Sequence, residues 1–453
     1  MSKDNTNISP PYEYFETKSD IVRESAIQIP LLFQEQEKKL EGQYRVLSLF
    51  SGCGGMDLGF EGKFIACKKS FSNDSPYVES EFGKNWIMLK KTKFSTVFAN
   101  DILPEAQIAW TTYMGRFGHG YSMFHLNSIV DLVKLQQVGT QIFPKDIDVV
   151  TGGFPCQDFS VAGKRLGFDS IKDDKGKVRT ADKPSEESRG KLYFWMKQVI
   201  DLTLPKVFIA ENVKGLVNLG NVKEIIQQDF ASADGGGYIV LKPRVLHAGD
   251  YGVPESRERV FFIGIRRDAL KPEALAALEA DEVPDEFNPY PKPTHACTVK
   301  DNSLLAPVCT ADVLGDLKEP EESEDNSQKI YSKAKFLDNG SQGQIEIKLD
   351  GLGPTIRSEH HGNIEFRRLS AAHGGKHTEE LEKGLKERRL TPRECAMIQT
   401  FPPDYKFVMK GYNERDFKLS SSGAYKIIGN AVPPVLAYHI AMRFQELWPK
   451  LFK

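Results

Sequence analysis

The chain has 453 residues, 40% hydrophobic and 27% charged, with a formal net charge of −2. That length supports one large domain and a smaller one, and the charge excludes a polycation, so any nucleic-acid contact needs a locally positive cleft. Six cysteines (Cys53, Cys67, Cys156, Cys297, Cys309 and Cys395) form no Cys-x-x-Cys pair or zinc-finger spacing, which points to free thiols in a reducing compartment.

Residues 1–43 are polar and read as a tail without chemistry, and the start Met1-Ser2-Lys3-Asp4-Asn5 has no apolar leader segment. No apolar run reaches membrane-spanning length, so a cytoplasmic protein is expected. Arg45 to Phe50 predicts a buried strand, which runs into Ser51-Gly52-Cys53-Gly54-Gly55-Met56-Asp57. A strand, a glycine-rich turn and a helix mark a Rossmann-like nucleotide site. Asp57 stands where a dinucleotide fingerprint needs a small residue, and its carboxylate is expected to repel a pyrophosphate. A cofactor without phosphates, S-adenosylmethionine, fits the turn better.

Residues 63–93 read as an inserted, solvated ribbon, and Thr96 to Asp101 as the second strand, whose terminal acid is placed for ribose hydroxyls. Asn127-Ser128-Ile129 is the candidate end of the third strand, near the adenine. Ile147 to Val150 predicts another buried strand, with Gly152-Gly153 allowing a tight exit and Pro155 fixing the backbone ahead of Cys156. That stretch alone leaves Cys156 between a small buried hydrophobe and a nucleophile. The polar run from Lys164 to Gly190 is a candidate lid or a plain surface loop, and an amphipathic helix opens at Gly190-Lys191-Leu192. Lys206 to Ala210 is a strand that delivers Glu211-Asn212-Val213 to the rim carrying Cys156.

Glu255-Ser256-Arg257-Glu258-Arg259 precedes the apolar strand Val260–Ile265; two arginines one residue apart are expected to share a face and clamp a phosphate or a base oxygen. Prolines and acidic residues dominate from about 268. Within this irregular module Gly353 to Asn363 mixes glycine turns with hydrogen-bonding side chains, a composition suited to base reading and phosphate contact. His360, His361, His373 and His377 lack a completing thiol or carboxylate set, and no metal is expected. Order returns at Arg389 to Ala396, read as a capped helix. Ile428 to Pro434 is read as a loop ahead of an apolar C-terminal helix, Val435–Leu447.

In this order, Phe50 to Gly55, Pro155-Cys156-Gln157, Glu211-Asn212-Val213, Arg257-Glu258-Arg259, Arg389 to Ala396 and Gly429-Asn430 resemble the DNA cytosine-5 methyltransferase family. The resemblance implies an α/β fold: a class I S-adenosylmethionine-dependent methyltransferase, Rossmann-like with a mostly parallel sheet, plus a smaller irregular target-recognition domain. Its implied divisions are a tail (1–43), a catalytic and cofactor-binding domain (44–267), a target-recognition region (268–388) and a C-terminal segment completing the catalytic domain (389–453). It further implies that Cys156 attacks C6 of a flipped cytosine, turning C5 into an enamine carbon. Glu211 is then expected to hold N3, Arg259 the base carbonyl, and Arg257 the backbone or the catalytic loop. S-adenosyl-L-methionine is expected against Phe50, Ser51, Gly52, Cys53, Gly54, Asp101, Ile102, Asn127, Pro155, Leu192, Asn430 and Val432, and double-stranded DNA against Gln157, Ser160, Lys164, Thr355 and Arg357. Two departures stand out: Glu255 replaces a usual glutamine, and Asn127 a usual acid. The expected setting is a monomer in the prokaryotic cytoplasm, acting on the nucleoid, with a cognate restriction endonuclease as genetic partner. A transfer-RNA enzyme would carry Cys-Phe-Thr in the recognition region, which is absent between 268 and 390. A non-catalytic paralogue would have lost residues that this chain keeps.

Overall fold

The computed structural model describes residues 42–155, 192–333, 344–358, 364–377, 379–413 and 416–453. The short apolar runs form the central sheet: β1 (Tyr44–Leu49), β5 (Phe94–Asp101), β6 (Phe124–Leu126), β7 (Val149–Gly153), β8 (Val207–Val213), β10 (Arg244–His247) and β11 (Glu258–Arg266). They lie in the order β10-β11-β8-β7-β1-β5-β6, with β9 (Tyr238–Val240) also pairing β11. The run β8-β7-β1-β5-β6 is parallel, while β11 is antiparallel to β8. Helices cover both faces, which is why these strands read as continuous Val, Ile, Leu and Phe rather than as an alternation. The parallel strands place their carboxyl ends on one edge, where α/β proteins bind ligands.

Helix α1 (Gly55–Glu61) follows β1, and α2 (Pro104–Met114) follows β5. The C-terminal helix α9 (Pro434–Leu451) lies against α1 so closely that a Cβ on Gly59 would fall 2.4 Å from Ala437 Cβ. Both ends of this helix extend beyond the range read from the sequence. The inserted segment is not simply solvated. It folds into a three-stranded antiparallel sheet of β2 (Ile65–Cys67), β4 (Trp86–Leu89) and β3 (Val78–Phe82). Ile87 and Leu89 are buried, and the Lys90 carbonyl accepts from the Tyr438 hydroxyl of α9 at 3.1 Å.

The change of composition at 268 does not coincide with a break in packing. Leu270 bridges Phe452, and Lys271 N–H donates to the Leu451 carbonyl at 2.9 Å. Tyr290 sits on the sheet, its hydroxyl donating to the Phe261 carbonyl at 2.9 Å. Further on, β12 (Gln344–Glu346), β13 (Ile364–Arg368) and β14 (Arg388–Arg389) make a small sheet. The acidic run Glu319 to Asp325 supplies counter-charges for buried arginines: Glu319 pairs with Arg368 and Arg388, and Asp325 with Arg393.

Arg389 lies in β14, so the predicted helix begins later, at Pro392–Ile398 (α7), capped by Thr391 with Glu394 completing a capping box. Ile428 to Asn430, read as a loop, form the last turn of a helix, α8 (Ser421–Asn430), and only Ala431 to Pro433 separate it from α9.

Candidate active site

Parallel pairing of β7 with β8 sets Gly153 opposite Glu211. Gly152 and Gly153 belong to β7 itself, so the tight exit expected of them does not occur there. Their lack of side chains serves space instead. A Cβ on Gly152 would stand 2.9 Å from Met196 Sδ, and one on Gly153 would stand 2.9 Å from Glu211 Oε2. Asn212 joins the two strand ends, its Nδ2 donating to the Phe154 carbonyl at 3.2 Å. The chain therefore leaves β7 toward Pro155 alongside the Glu211 carboxylate. Pro155 is half-buried and Leu192 is buried at the start of the helix α4 (Leu192–Thr203). Cys156, Gln157, Ser160, Lys164 and the candidate lid lie outside the described residues.

On β11, Phe261 faces Glu211, and Arg259 stands two residues earlier. Arg259 Nε lies 2.9 Å from Glu211 Oε1. Glu211 is 6% exposed, and burial pushes its carboxyl above the usual range despite the opposing pull of Arg259 and Arg257. Arg257 precedes β11 and makes separate contacts, so the expected shared arginine face is not formed. Its Nη1 donates to the Ile356 carbonyl at 3.0 Å, and its Nη2 to Gly429 and Ala431 carbonyls at 2.9 and 2.8 Å. It ties residue 356 to the α8–α9 loop.

Glu255 has a definite contact: its Oε1 accepts from Ile356 N–H at 2.6 Å, 3.6 Å from Arg257 Nη1. The strap 353–357 runs beside 254–257, with Ser256 N–H donating to the Gly353 carbonyl at 2.8 Å. Thr355 donates its hydroxyl to the Ser256 carbonyl and lines an open cleft of about 210 Å³ with Lys214, Ser256, Glu258 and Arg259. Arg357 is half-buried, and its backbone passes 2.3 Å from where a Gly429 Cβ would be. Thr355 thus borders the cleft that holds Arg259, while Arg357 lies against α8.

The glycine turn lies at the carboxyl end of β1. Phe50, Gly52 and Gly54 all have positive φ (52°, 55° and 79°), and a Cβ on Gly52 would meet nothing within 4 Å. The outer side of the turn is therefore open. Cys53 is fully buried and donates to the Ile427 carbonyl at 3.3 Å, so it offers only its backbone outward. At the end of β5, Asp101 accepts from Gly52 N–H at 2.9 Å and from Leu103 N–H at 3.0 Å; burial raises its carboxyl, against the pull of these amides. Ile102 is 41% exposed beside it. Asn127 follows β6 with its side chain exposed, Asn430 is exposed, and Val432 is buried. A Cβ on Gly55 would fall 2.2 Å from the Val432 carbonyl, which shows how tightly the α8–α9 loop closes on the turn.

Asp57 overturns one expectation. Its carboxylate is 1% exposed and faces inward, accepting from Ser48 Oγ and Trp110 Nε1. It does not face a ligand at the turn, so the charge argument against a pyrophosphate has no basis in the structure. From sequence Gly153 reads as a turn residue and Asn212 only as part of a motif; the pairing of β7 with β8 shows that Gly153 leaves room for the Glu211 carboxylate and that Asn212 joins the strand ends. Among the described residues no group of three His, Cys, Asp or Glu is arranged to hold a metal ion.

A sheet of this order, with one antiparallel strand at β11 and a glycine turn after β1, defines the class I methyltransferase fold. Within that class, the chain belongs to the C-5 cytosine-specific DNA methylase family, whose model matches residues 44–446. It is 33% identical to the type II methyltransferase M.BsuRI of Bacillus subtilis, over 87% of this chain and 78% of that protein. It is 30% identical to the type II methyltransferase M.BspRI of Lysinibacillus sphaericus, over 88% and 81% of the two chains. A crystal structure of a DNA modification methyltransferase encoded within an Escherichia coli prophage superposes with a TM-score of 0.51 at 19% identity, covering 90% of this chain and 99% of that one.

Proposed function

We propose that this protein transfers a methyl group from S-adenosyl-L-methionine to C5 of one cytosine within a specific duplex DNA sequence. In this reading it protects host DNA as the modification half of a type II restriction–modification system, the class in which its relatives are named. The observation that carries the chemistry is the pairing of buried Glu211 with half-buried Arg259, 2.9 Å apart, next to the strand end that leads to Pro155 and Cys156.

Each residue's task follows from its chemistry. The Cys156 thiolate adds to C6 of the flipped base, and the C5–C6 electron pair becomes an enamine nucleophilic at C5. Charge displaced onto the ring is taken up at N3 and O2. The raised carboxyl of Glu211 favours its protonated form, which donates to N3; Arg259 donates to O2. Once C5 carries the methyl group, its proton passes to a base, the C–H electron pair re-forms the C5–C6 double bond, Cys156 leaves as the thiolate, and the N3 proton returns to Glu211. Arg257 touches no reacting atom in this scheme and acts by holding 356, 429 and 431 together.

S-adenosylmethionine, when bound, supplies an electrophilic methyl group. The residues present fit it: the turn is open above Gly52, with Asp101 offering carboxylate lone pairs and Ile102 an exposed apolar side chain. Thr355 and Arg357, with Gln157, Ser160 and Lys164, are proposed to meet the DNA, and the site is proposed to work in the cytoplasm. Among the described residues no helix is long and apolar enough to cross a membrane.

The test is methyl transfer from labelled S-adenosylmethionine to duplex DNA, followed by nucleoside mass spectrometry and bisulfite sequencing. The expected product is 5-methylcytosine at one position of one recurring sequence. Transfer to transfer RNA in preference to DNA, or no transfer, would contradict the proposal.

A further inference from the structure

The cofactor turn hangs from a buried chain of hydrogen bonds that the mechanism does not use. Asn100 N–H donates to Ser51 Oγ at 3.1 Å, Ser51 Oγ to Ser48 Oγ at 2.9 Å, and Ser48 Oγ to Asp57 Oδ1 at 2.5 Å. The other carboxylate oxygen, Oδ2, accepts from Trp110 Nε1 at 2.6 Å. Ser48, Asp57, Asn100 and Trp110 are each no more than 2% exposed.

This chain has a direction. Ser48 has a single hydroxyl proton; given to Asp57, it leaves the Ser48 oxygen free to accept from the Ser51 hydroxyl, which also lies 3.2 Å from the Ser48 carbonyl. A carboxylate accepts without donating, and here it receives two donors from opposite sides. It therefore holds the Ser48 proton away from the turn and keeps Ser48 presented to the Ser51 hydroxyl as an acceptor. The far end is equally tied: Ser51 N–H donates to the Asn100 carbonyl at 2.8 Å, and Asn100 Nδ2 donates to the carbonyls of His125 and Asn127, both at 2.8 Å. The ends of β1, β5 and β6, which carry Ser51, Asp101 and Asn127, are thus locked in one network. Trp110 adds a steric floor, since a Cβ on Gly54 would lie 2.7 Å from its Cδ1.

We infer that Asp57 is a positioning residue for S-adenosylmethionine: through Ser48 it fixes the Ser51 hydroxyl and the glycine turn, without touching the cofactor. The inference rests on the proposed cofactor reading of this turn. Asp57→Asn isolates the effect, because it keeps the volume but supplies only one acceptor and adds two donors. If its oxygen serves Trp110, its amide faces Ser48 and reverses the chain; if its oxygen serves Ser48, its amide opposes the indole N–H.

The experiment measures S-adenosylmethionine binding by calorimetry, together with KM for cofactor, KM for DNA, kcat and the melting temperature. Variants are Asp57→Asn, Ser51→Ala and the double variant. Asp57→Asn is expected to weaken cofactor binding and raise its KM about tenfold or more, with kcat at saturating cofactor and KM for DNA within about threefold. Ser51→Ala is expected to add little on top of Asp57→Asn, because the hydroxyl is already misdirected. Wild-type binding by Asp57→Asn, full additivity in the double variant, or equal losses in kcat and both KM values overturns the inference. If Asp57→Asn fails to fold, Ser48→Ala interrupts the same chain and is judged by the same criteria. Failure of the wild-type protein itself to bind S-adenosylmethionine would instead overturn the cofactor reading.

Discussion

Gly153→Ala is the sharpest perturbation of the proposed chemistry that removes no candidate catalytic side chain. The added Cβ would stand 2.9 Å from Glu211 Oε2, about 0.5 Å inside ordinary contact. Its neighbour is the far end of a side chain rather than backbone, so the fold can absorb the clash by moving the carboxylate. The stability cost is expected at the low end of overpacking, about 1 kcal/mol. The functional cost is larger. Glu211 is held at 2.9 Å by Arg259, and a shift that relieves the clash moves the group that must meet N3. Misplacement of a catalytic group by about 1 Å costs on the order of a hundredfold, so half that distance predicts roughly a tenfold loss of kcat. The assay is single-turnover methyl transfer with prebound cofactor, alongside a thermal melt. KM for S-adenosylmethionine should not change, because the cofactor turn lies at β1 and β5. A variant with wild-type kcat, or one whose loss is matched by unfolding, refutes the reasoning.

Three further predictions come from other parts of the molecule. Glu365 is buried at 4% exposure, and burial, partly countered by Arg357 and Arg389, pushes its carboxyl up to about 7 from 4.5. The folded state therefore holds this proton more tightly, and stability falls as pH rises from about 4.5 to 7. Glu365→Gln should be more stable at pH 8 by up to about 3 kcal/mol, the gain shrinking toward pH 4.5; a lower melting temperature at pH 8, or a pH-independent gain, contradicts this. Arg257→Met leaves three carbonyls without their donor and Glu255 without its cation, and should cost about 3–5 kcal/mol in a denaturant titration; an unchanged midpoint would show that the clamp is dispensable. DNA affinity should fall steeply with salt, about 0.9 log units per log unit for each phosphate contacted; a flat dependence in fluorescence anisotropy argues against duplex DNA as substrate.

Much of the catalytic edge is legible in the sequence because it lies on local patterns. The apolar runs at β1, β5, β8 and β11 are buried parallel or central strands, and Glu211 and Asp101 stand at strand ends where those runs stop. What is illegible depends on partners distant along the chain. Arg257 meets carbonyls 99, 172 and 174 positions away, so nothing local reveals that it clamps the backbone while Arg259 meets Glu211. Gly153 reads as a turn residue until β8 is placed beside it. Asp57 reads as an outward charge until Trp110, 53 positions on, is seen to take its second oxygen. The inserted segment 63–93 reads as solvated because its buried side chains, such as Ile87 and Leu89, find their cover near the C-terminal helix. Gly429-Asn430 reads as a loop, yet Gly429 stays helical where the Arg357 backbone leaves no room for a Cβ.

The central claim is covalent catalysis at a cytosine, and a duplex carrying 5-fluorocytosine at the recognised position tests it most directly. Addition and methyl transfer can proceed on that base, but fluorine at C5 cannot leave as a proton, so the enzyme cannot release it. The account predicts a denaturation-resistant protein–DNA adduct that requires S-adenosylmethionine, maps by peptide mass spectrometry to Cys156, and is absent from Cys156→Ala. Methylation of ordinary DNA by Cys156→Ala, or an adduct mapping to any other residue, would contradict it.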